Sequence, residues 1–387
     1  MKKRITVLGS TGSVGSQALE VISTYPGLYE LKAIAGGENV PLLVSQARKY
    51  RPSAVAIANK DKYQKLKGAL NGLPIEVKAG SDAVAELAGW DETDLVVSSM
   101  VGYAGLQPAL TAISAGKQLA LANKETLVVA GELVLRLARE RNVKIIPVDS
   151  EHSAIFQCLT GEEHSAVEKI ILTASGGPFY GKDKTFLDNV TLEQALNHPN
   201  WSMGEKITID SASLMNKGLE AIEARWLFGL EPSQIEVVIH PQSVIHSMVQ
   251  FIDGSVKAQL SIPDMRFPIL YALSYPHRLP STYTRIDFNS SLELSFRQPD
   301  LSNFPNLAIA LECMRKGGNM PCVMNAANEL AVEAFRKKRL RFMQIPVVIE
   351  KTLTRSGFIE KPEYEDYVRT DEEARNLAAS IIRDLQL

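Results

Sequence analysis

Arg4-Ile5-Thr6-Val7-Leu8-Gly9-Ser10-Thr11-Gly12-Ser13-Val14-Gly15 is the stretch that decides the architecture of this chain. A short β-rich run opens straight into three glycines, and a helical pattern follows through Leu19 and Ile22. That is strand, glycine turn, helix. Glycines at such a turn let backbone N–H groups approach a pyrophosphate, and the positive end of the following helix stabilises its charge. The spacing is G-x-x-G-x-x-G rather than the commoner G-x-G-x-x-G, so a plain tight βα turn is the competing reading.

Downstream, β-rich runs recur at Leu31–Ala35, Ala54–Ile57, Ile75–Val77, Leu95–Val97, Gln118–Leu121 and Lys144–Val148, separated by segments of helical spacing. This alternation predicts a doubly wound parallel sheet over residues 1–149. In the loop after the second run, Gly36-Gly37-Glu38-Asn39, an acidic side chain suits a free ribose 2′-hydroxyl and repels a 2′-phosphate. Taken alone, Glu38 favours NAD over NADP, unless it merely faces solvent. Ser98-Ser99-Met100-Val101-Gly102 packs beside a cofactor or is a small-residue turn. In Ala122-Asn123-Lys124-Glu125-Thr126, Lys124 offers an ammonium where substrate oxyanions are expected, or is solvated behind an Asn123 helix cap.

The sheet ends at Ile146-Pro147-Val148-Asp149-Ser150-Glu151-His152. Two carboxylates two residues apart at a strand's carboxyl end can face one cation, or can serve as the N-terminal cap of a helix through Ala154, Ile155 and Leu159.

Beyond this point the pattern changes. Val167–Thr173 reads as a strand running into Ala174-Ser175-Gly176-Gly177-Pro178-Phe179, either an anion-binding nest or a tight turn. Thr191 and Gln194 have capping-box spacing. His198-Pro199-Asn200-Trp201-Ser202-Met203-Gly204 offers Trp and Met in a loop, which fits a lid or a segment folded back on the core. Ile207–Ser211 reads as a strand. In the helical pattern that follows, Asn216, Lys217 and Glu220 share a face, as ligands or as an ordinary surface ion pair.

Ile235–Ile239, Val244–Phe251 and Ser255–Ile262 read as antiparallel additions to the sheet, with a hairpin at Asp253-Gly254. His240, Gln242 and His246 alternate as metal ligands or, more commonly, as a polar face at a subunit contact. Residues 280–305 form an irregular linker, and helices are expected at 307–316, 322–338, 346–354 and 371–385, the last capped by Thr370 with Glu373.

The chain has 387 residues, 45% of them hydrophobic, and a formal charge of -2, with pI near 6.4. Such a balance gives no basic footprint for nucleic acid or an anionic membrane. The basic run Arg336–Arg339 reads as a solvated helix end. Cys158, Cys313 and Cys322 are odd in number and lack metal or redox spacing, which fits a reducing cytoplasm. No signal-peptide core or apolar run of bilayer-spanning length stands out. Three carboxylates, Asp149, Glu151 and Glu220, beside candidate phosphate ligands select a hard divalent cation, Mg²⁺ or Mn²⁺, over zinc. With the nucleotide turn they indicate a metal-dependent oxidoreductase acting on a small phosphorylated polyol or ketose. Another dehydrogenase of this architecture, indifferent to metal, and a nucleotide-sensing binding protein without turnover are the alternatives.

Gly9–Gly15, Ala122–Glu125, Pro147–His152, Ser175–Phe179, His198–Gly204 and Met215–Glu220, taken in order over essentially the whole chain, resemble the 1-deoxy-D-xylulose 5-phosphate reductoisomerase family. The resemblance implies an α/β enzyme: a Rossmann-like NADPH-binding domain (1–149), a central α+β catalytic domain (150–285), a linker (286–305) and a C-terminal helical domain (306–387). It implies conversion of the sugar phosphate to 2-C-methyl-D-erythritol 4-phosphate with NADPH and a divalent metal, in a cytoplasmic homodimer.

By the same resemblance, Asp149, Glu151 and Glu220 hold the metal. Ser175, Ser211, Asn216 and Lys217 take the phosphate with His198 close by, and Ser150 and Lys124 contact other substrate oxygens. Trp201 and Met203 belong to a flexible loop over substrate and nicotinamide, with Trp201 toward the substrate and Met203 and Gly204 toward the cofactor. Thr11, Gly12, Ser13 and Val14 bind the pyrophosphate side of the cofactor, Gly37, Glu38 and Asn39 its ribose side, and Asn123 and Glu125 also line its site. Glu38 is a departure, since many relatives carry a basic or small polar residue there.

Overall fold

A computed structural model describes residues 1–289 and 293–386. The chain divides into two compact units. The first comprises Met1–Thr126, Val134–Ser153 and Asp264–Thr282, and the second Leu127–Leu133, Ala154–Pro263 and Tyr283–Leu387. Contacts therefore draw the boundaries differently from the reading of the sequence. Asp264–Thr282, assigned above to the catalytic stretch, belongs with the nucleotide-type sheet. Lys3 Nζ donates to Leu273 O at 2.7 Å, Tyr25 OH donates to Pro280 O at 2.5 Å, and Lys144 Nζ lies 4.7 Å from the Tyr275 ring centre.

The first unit is built on seven strands, β1 (Lys3–Leu8), β2 (Tyr29–Gly36), β3 (Ala54–Ile57), β4 (Glu76–Ala79), β5 (Leu95–Ser98), β6 (Gln118–Leu121) and β7 (Ile145–Pro147). Their order is β4-β3-β2-β1-β5-β6-β7 and every pairing is parallel. Helices cover a parallel sheet on both faces, so its strands read as continuous apolar runs. Ala54–Ile57 and Leu95–Ser98 are buried throughout. The order reverses between β1 and β5, and ligands of open α/β sheets bind at the carboxyl ends of strands flanking such a switch.

The second unit carries its own sheet, with β8 (Val167–Ala174), β9 (Ile235–Ile239), β10 (Ile245–Phe251) and β11 (Val256–Leu260) in the order β11-β10-β8-β9. These strands form a separate sheet rather than an extension of the first. β8 and β9 are parallel, whereas β10 is antiparallel to both β8 and β11. The helices within residues 306–386 share one core with this sheet: Ile170, Leu219, Leu307, Met324 and Ile381 are all buried in the same cluster. A Cβ at Gly218 would come within 2.3 Å of Ala310 Cβ, so the helices Met215–Phe228 and Pro305–Lys316 pack closely at that glycine.

Several local readings are corrected. Ile207–Ser211 lies in a helix, Glu205–Ala212, despite its β-branched residues. Thr208 Oγ1 returns to Gly204 O at 2.8 Å and Lys206 pairs with Asp210 one turn on, while Thr208, Ile209 and Ala212 face the core. Tertiary burial outweighs the strand propensity. The last helix starts at Tyr364, with a box made by Glu363 and Asp366. Thr370 lies inside it, its hydroxyl accepting from Asn319 Nδ2 at 3.2 Å.

Among the described residues neither His240 nor His246 joins a group of three metal-ligating side chains, and each bonds to protein atoms instead. His240 follows β9 and closes a turn: Nε2 accepts from Val244 N and Ile245 N at 3.3 and 3.2 Å, and Nδ1 faces Ser295 O at 3.0 Å. With both ring nitrogens occupied it is a structural residue, and His246 Nε2 is engaged by Ser261 Oγ at 2.8 Å. The capping box Thr191–Gln194 and the β10–β11 hairpin form as expected.

Candidate active site

In the first unit the glycine turn joins β1 to the helix Ser13–Thr24. Gly9 has φ +79°, and a Cβ there would lie 2.4 Å from Ser99 O, just past β5. A Cβ at Gly15 would lie 2.2 Å from Gly9 O. Both contacts are with backbone and cannot yield, so these two glycines are required by packing. Gly12 instead is the exposed N-cap, with no side-chain cap and no acidic residue in the first turn. The free N–H groups and positive pole of this helix end suit an anion. Thr11 and Val14 are half-buried and Ser13 exposed at that end, whereas Ser10 is structural: its Oγ donates to Gln46 Oε1 at 2.8 Å and its carbonyl accepts from Gln46 Nε2 at 2.7 Å.

After β2, Gly37, Glu38 and Asn39 are exposed. Asn39 Oδ1 caps the helix Val40–Tyr50 through Leu42 N at 3.1 Å. Glu38 is held, not loose: Asn59 Nδ2 donates to both its carboxylate oxygens at 2.9 Å, and Asn59 Oδ1 accepts from Asp61 N at 2.8 Å.

Asn123 is 1% exposed and bound on every side. Its Nδ2 donates to Met100 O, Gly102 O and Glu125 Oε2 at 2.9–3.1 Å, and its Oδ1 accepts from Thr126 N at 3.2 Å. Asn123 thus braces the loop after β5 against the start of the helix Glu125–Glu140. Lys124 is not solvated: its side chain is 6% exposed and its ammonium lies 2.5 Å from Asp149 Oδ2. Asp149 follows β7, its carbonyl accepts from Ser153 N at 2.8 Å in the helix Ser150–Leu159, and Ser150 Oγ donates to Glu151 Oε2 at 2.5 Å. The cap and ligand readings are compatible, because the backbone starts the helix while the carboxylates remain as oxygen donors.

In the second unit β8 ends at Ala174, and Gly176 and Gly177 turn with φ of +85° and +67°. A Cβ at Gly177 would meet Ser211 O at 2.8 Å, which packs this turn against the end of the helix Glu205–Ala212. Ser175 Oγ accepts from Gly177 N at 3.1 Å and is 3.0 Å from His198 Nε2. Burial pushes the His198 imidazole down to about 4, so it is neutral near pH 7. Beside Ser175 opens a cavity of about 480 Å³ lined by Phe179, Tyr180, Phe186 and Asn197 among others.

Trp201 and Met203 are half-buried, and the Trp201 ring lies 6.1 Å from that of His246. Asn200 ties the loop down by donating to Pro241 O at 2.7 Å and Ser243 Oγ at 2.9 Å.

Leu214, at φ +58°, breaks the chain between two helices and starts Met215–Phe228. A branched side chain in the left-handed region costs about 1–3 kcal/mol and clusters at functional sites. Lys217 and Glu220 form a salt bridge with side-chain exposures of 4% and 1%, and Asn216 Nδ2 donates to Glu220 Oε1 at 2.5 Å. The surface-pair reading therefore fails. Ser211 and Asn216 stay half-exposed beside them in sequence. Asp210 is buried under Ser211 and accepts from Asn328 Nδ2 at 2.9 Å.

The sequence alone assigns no role to Asn59, Gln46, Asn200, Asp210 or Asn328. Each supports a motif residue through a contact distant in the chain, and only the polar type of residue signalled it.

Family models match three stretches: 1-deoxy-D-xylulose 5-phosphate reductoisomerase over residues 5–131, its C-terminal domain over 145–228, and the DXP reductoisomerase C-terminal domain over 260–377. The chain is 59% identical to the 1-deoxy-D-xylulose 5-phosphate reductoisomerase of Bacteroides thetaiotaomicron, covering 98% of each. It is 52% identical to that of Porphyromonas gingivalis, covering 99% of each. Among solved structures it resembles the Zymomonas mobilis enzyme in complex with NADPH (42% identity, all of both chains, TM-score 0.92). It also resembles a DOX-P reductoisomerase in complex with NADPH, fosmidomycin and magnesium (38% identity, 98% of both, TM-score 0.93).

Proposed function

The chain belongs to the 1-deoxy-D-xylulose 5-phosphate reductoisomerase family, and from that premise we propose which of its residues carry the reaction. The enzyme isomerises and reduces 1-deoxy-D-xylulose 5-phosphate to 2-C-methyl-D-erythritol 4-phosphate, using NADPH and a divalent cation, in non-mevalonate isoprenoid precursor biosynthesis. The whole-length likeness to reductoisomerases carries this conclusion.

Asp149, Glu151 and Glu220 are the metal ligands in this reading. The donor set fits a hard cation, since it is all carboxylate oxygen with no His or Cys among the three. A bound divalent ion supplies Lewis acidity toward adjacent substrate oxygens. NADPH supplies the hydride. Lys124, buried with its ammonium on Asp149, presents a fixed positive charge and a proton at Nζ to a substrate oxygen, and Ser150 orients Glu151 through its hydroxyl. Ser175, Ser211, Asn216 and Lys217 hold the phosphate, with His198 close by on Ser175, and the phosphate binds the non-reacting end of the sugar and fixes its orientation. Trp201 and Met203, with Gly204 as the end of the loop, exclude water from the reacting carbons.

Thr11, Gly12, Ser13 and Val14 take the pyrophosphate at the uncapped helix end. Gly37, Glu38 and Asn39 lie toward the adenosine ribose, and Asn123 and Glu125 brace the nicotinamide side. By task rather than by packing, the chain divides into a nucleotide domain (1–149), a catalytic domain (150–285) whose Asp264–Thr282 stretch packs with the nucleotide sheet, a linker (286–305) and a helical domain (306–387).

The working molecule is a cytoplasmic homodimer. β11 is an edge strand, and Val256, Lys257 and Ala258 on it are exposed, which leaves backbone groups free to pair with a second copy. The three cysteines are free thiols, as in a reducing compartment. Among the described residues no helix is long and apolar enough to cross a membrane.

Following NADPH oxidation with 1-deoxy-D-xylulose 5-phosphate and Mg²⁺, Mn²⁺ or neither tests the whole reading. Metal-dependent turnover is the expected result. Turnover indifferent to metal would assign another dehydrogenase, and cofactor binding without turnover a sensor.

A further inference from the structure

Donors and acceptors around His198 leave one consistent assignment of protons. Asn200 N and Trp201 N lie 3.2 and 3.1 Å from His198 Nδ1, and both are N–H donors, so Nδ1 carries a lone pair. A neutral imidazole with an unprotonated Nδ1 carries its hydrogen on Nε2. Burial of the ring keeps it neutral well below pH 7. Nε2–H therefore donates across the 3.0 Å separation to Ser175 Oγ, which also accepts from Gly177 N at 3.1 Å. Two acceptances fill the lone pairs of the hydroxyl. Its own proton is then committed to an outside acceptor.

We propose that His198 is a positioning residue in a directional relay, in which the loop amides donate to Nδ1, Nε2–H donates to Ser175, and Ser175 donates to a phosphate monoester dianion. Its consequence is that phosphate occupancy tightens the Asn200–Trp201 arm of the loop. Linked hydrogen bonds polarise one another, so an anion pulling on the Ser175 proton strengthens the bonds upstream. The arm is anchored by Asn200 on Pro241 O and Ser243 Oγ, and Gly204 O is held by Thr208, so Ser202 and Met203 lie between two fixed points. The inference rests on Ser175 being a phosphate ligand, as proposed above.

The test uses the full-length enzyme with inorganic phosphate as the probe. Nitrogen-15 NMR of histidine-labelled protein is expected to report the Nε2–H tautomer for His198, identified by its loss in a His198 variant. Hydrogen exchange at the Asn200 and Trp201 amides is expected to slow by about 1.5-fold at saturating phosphate, since polarisation strengthens each existing bond of about 1 kcal/mol by about 10–30%.

Two variants separate the ends of the relay. His198→Gln keeps a donor near Nε2 but nothing at Nδ1, so the slowing disappears while phosphate affinity changes less than about threefold. His198→Asn keeps an acceptor for the loop amides through an Asx-turn but loses the donor, so phosphate affinity falls about tenfold. Thermal melting of both variants identifies any global unfolding, and the wild-type tautomer decides the matter without them. An Nδ1–H tautomer, or undiminished slowing in His198→Gln, overturns the relay alone. Unchanged phosphate affinity in Ser175→Ala overturns the phosphate assignment and the relay with it.

Discussion

Glu220→Gln separates the two tasks assigned to this carboxylate. In the folded chain its side chain is 1% exposed against a Lys217 that is 4% exposed, so the substitution removes a negative charge paired with a buried ammonium. Removing one partner of a buried pair costs about 3–5 kcal/mol. Asn216 Nδ2, 2.5 Å from Oε1, keeps a carbonyl to bond in the glutamine, which sets the expected cost at the low end, about 3 kcal/mol. For a unit of this size each kcal/mol shifts melting by about 2–4 °C, so the melting temperature in EDTA should fall by about 6–12 °C.

Catalysis should suffer on its own account, because a lost metal ligand removes charge stabilisation in the transition state. A hundredfold fall in kcat/KM corresponds to about 2.7 kcal/mol, measured well below the melting transition at saturating Mg²⁺. Glu312→Gln breaks an exposed pair with Arg315, at 68% and 57% side-chain exposure respectively, and should cost less than about 1 kcal/mol. Near-normal kcat/KM with unchanged metal dependence would remove Glu220 from the metal site, and an unshifted melting temperature would show that the buried pair contributes nothing.

The nucleotide turn, the cofactor loop and a buried histidine give three further tests. Gly15→Ala drives a Cβ into Gly9 O, so NADPH affinity should fall more than about tenfold with a stability loss of about 1–3 kcal/mol, whereas a Cβ at Gly37 meets nothing within 4 Å and Gly37→Ala should bind NADPH within about threefold of wild type. Equal titrations of the two would sink the packing argument. NADPH should be preferred over NADH by kcat/KM, and Glu38→Gln should tighten NADPH about fivefold and leave NADH unchanged, because a charge pair a few ångströms apart in water-like surroundings repels by about 1 kcal/mol; a fluorescence titration showing no selective gain places Glu38 away from the 2′-phosphate. His246 is 5% exposed, and burial lowers its pKa from 6.5 to about 4. Between those values the unfolded chain binds more protons than the folded one, so stability is full above pH 6.5 and falls as pH drops toward 4, by about 3 kcal/mol. Urea midpoints at pH 7.5 and 4.5 measure this, and a slope unaltered in His246→Gln would exonerate the residue.

Local rules carried the sequence reading as far as contacts between chain neighbours. The glycine turn, the Thr191–Gln194 box and the Asp253-Gly254 hairpin each need only residues within a few positions, and each formed as expected. Five residues such as Ile207–Ser211 carry too little periodicity to separate strand from helix. The choice was made by distant partners, including Asn328 on Asp210. Spacing likewise gave Lys217 and Glu220 their reach, but not their burial, which comes from the packing of the surrounding unit. Glu38 could be read as free in the sequence because the Asn59 that orients it stands on another loop.

Charge balance within each unit leads to a last test. Lys124 neutralises Asp149 in one unit and Lys217 neutralises Glu220 in the other, with none of the four side chains more than 11% exposed. Isolated buried carboxylates would cost several kcal/mol each, so these lysines let either unit fold with its acidic groups in place. The same pairing makes the carboxylates look like two unrelated structural ion pairs. Kinetics distinguishes that possibility from a shared ion. Groups that act as one unit have strongly non-additive effects, whereas independent sites add. If Asp149 and Glu220 serve one cation, Asp149→Asn combined with Glu220→Gln should lower kcat/KM little further than the worse single change, since the first loss already forfeits most of the charge stabilisation the shared ion supplies. Losses that multiply would mean two separate roles, and the metal assignment of one carboxylate would have to be withdrawn.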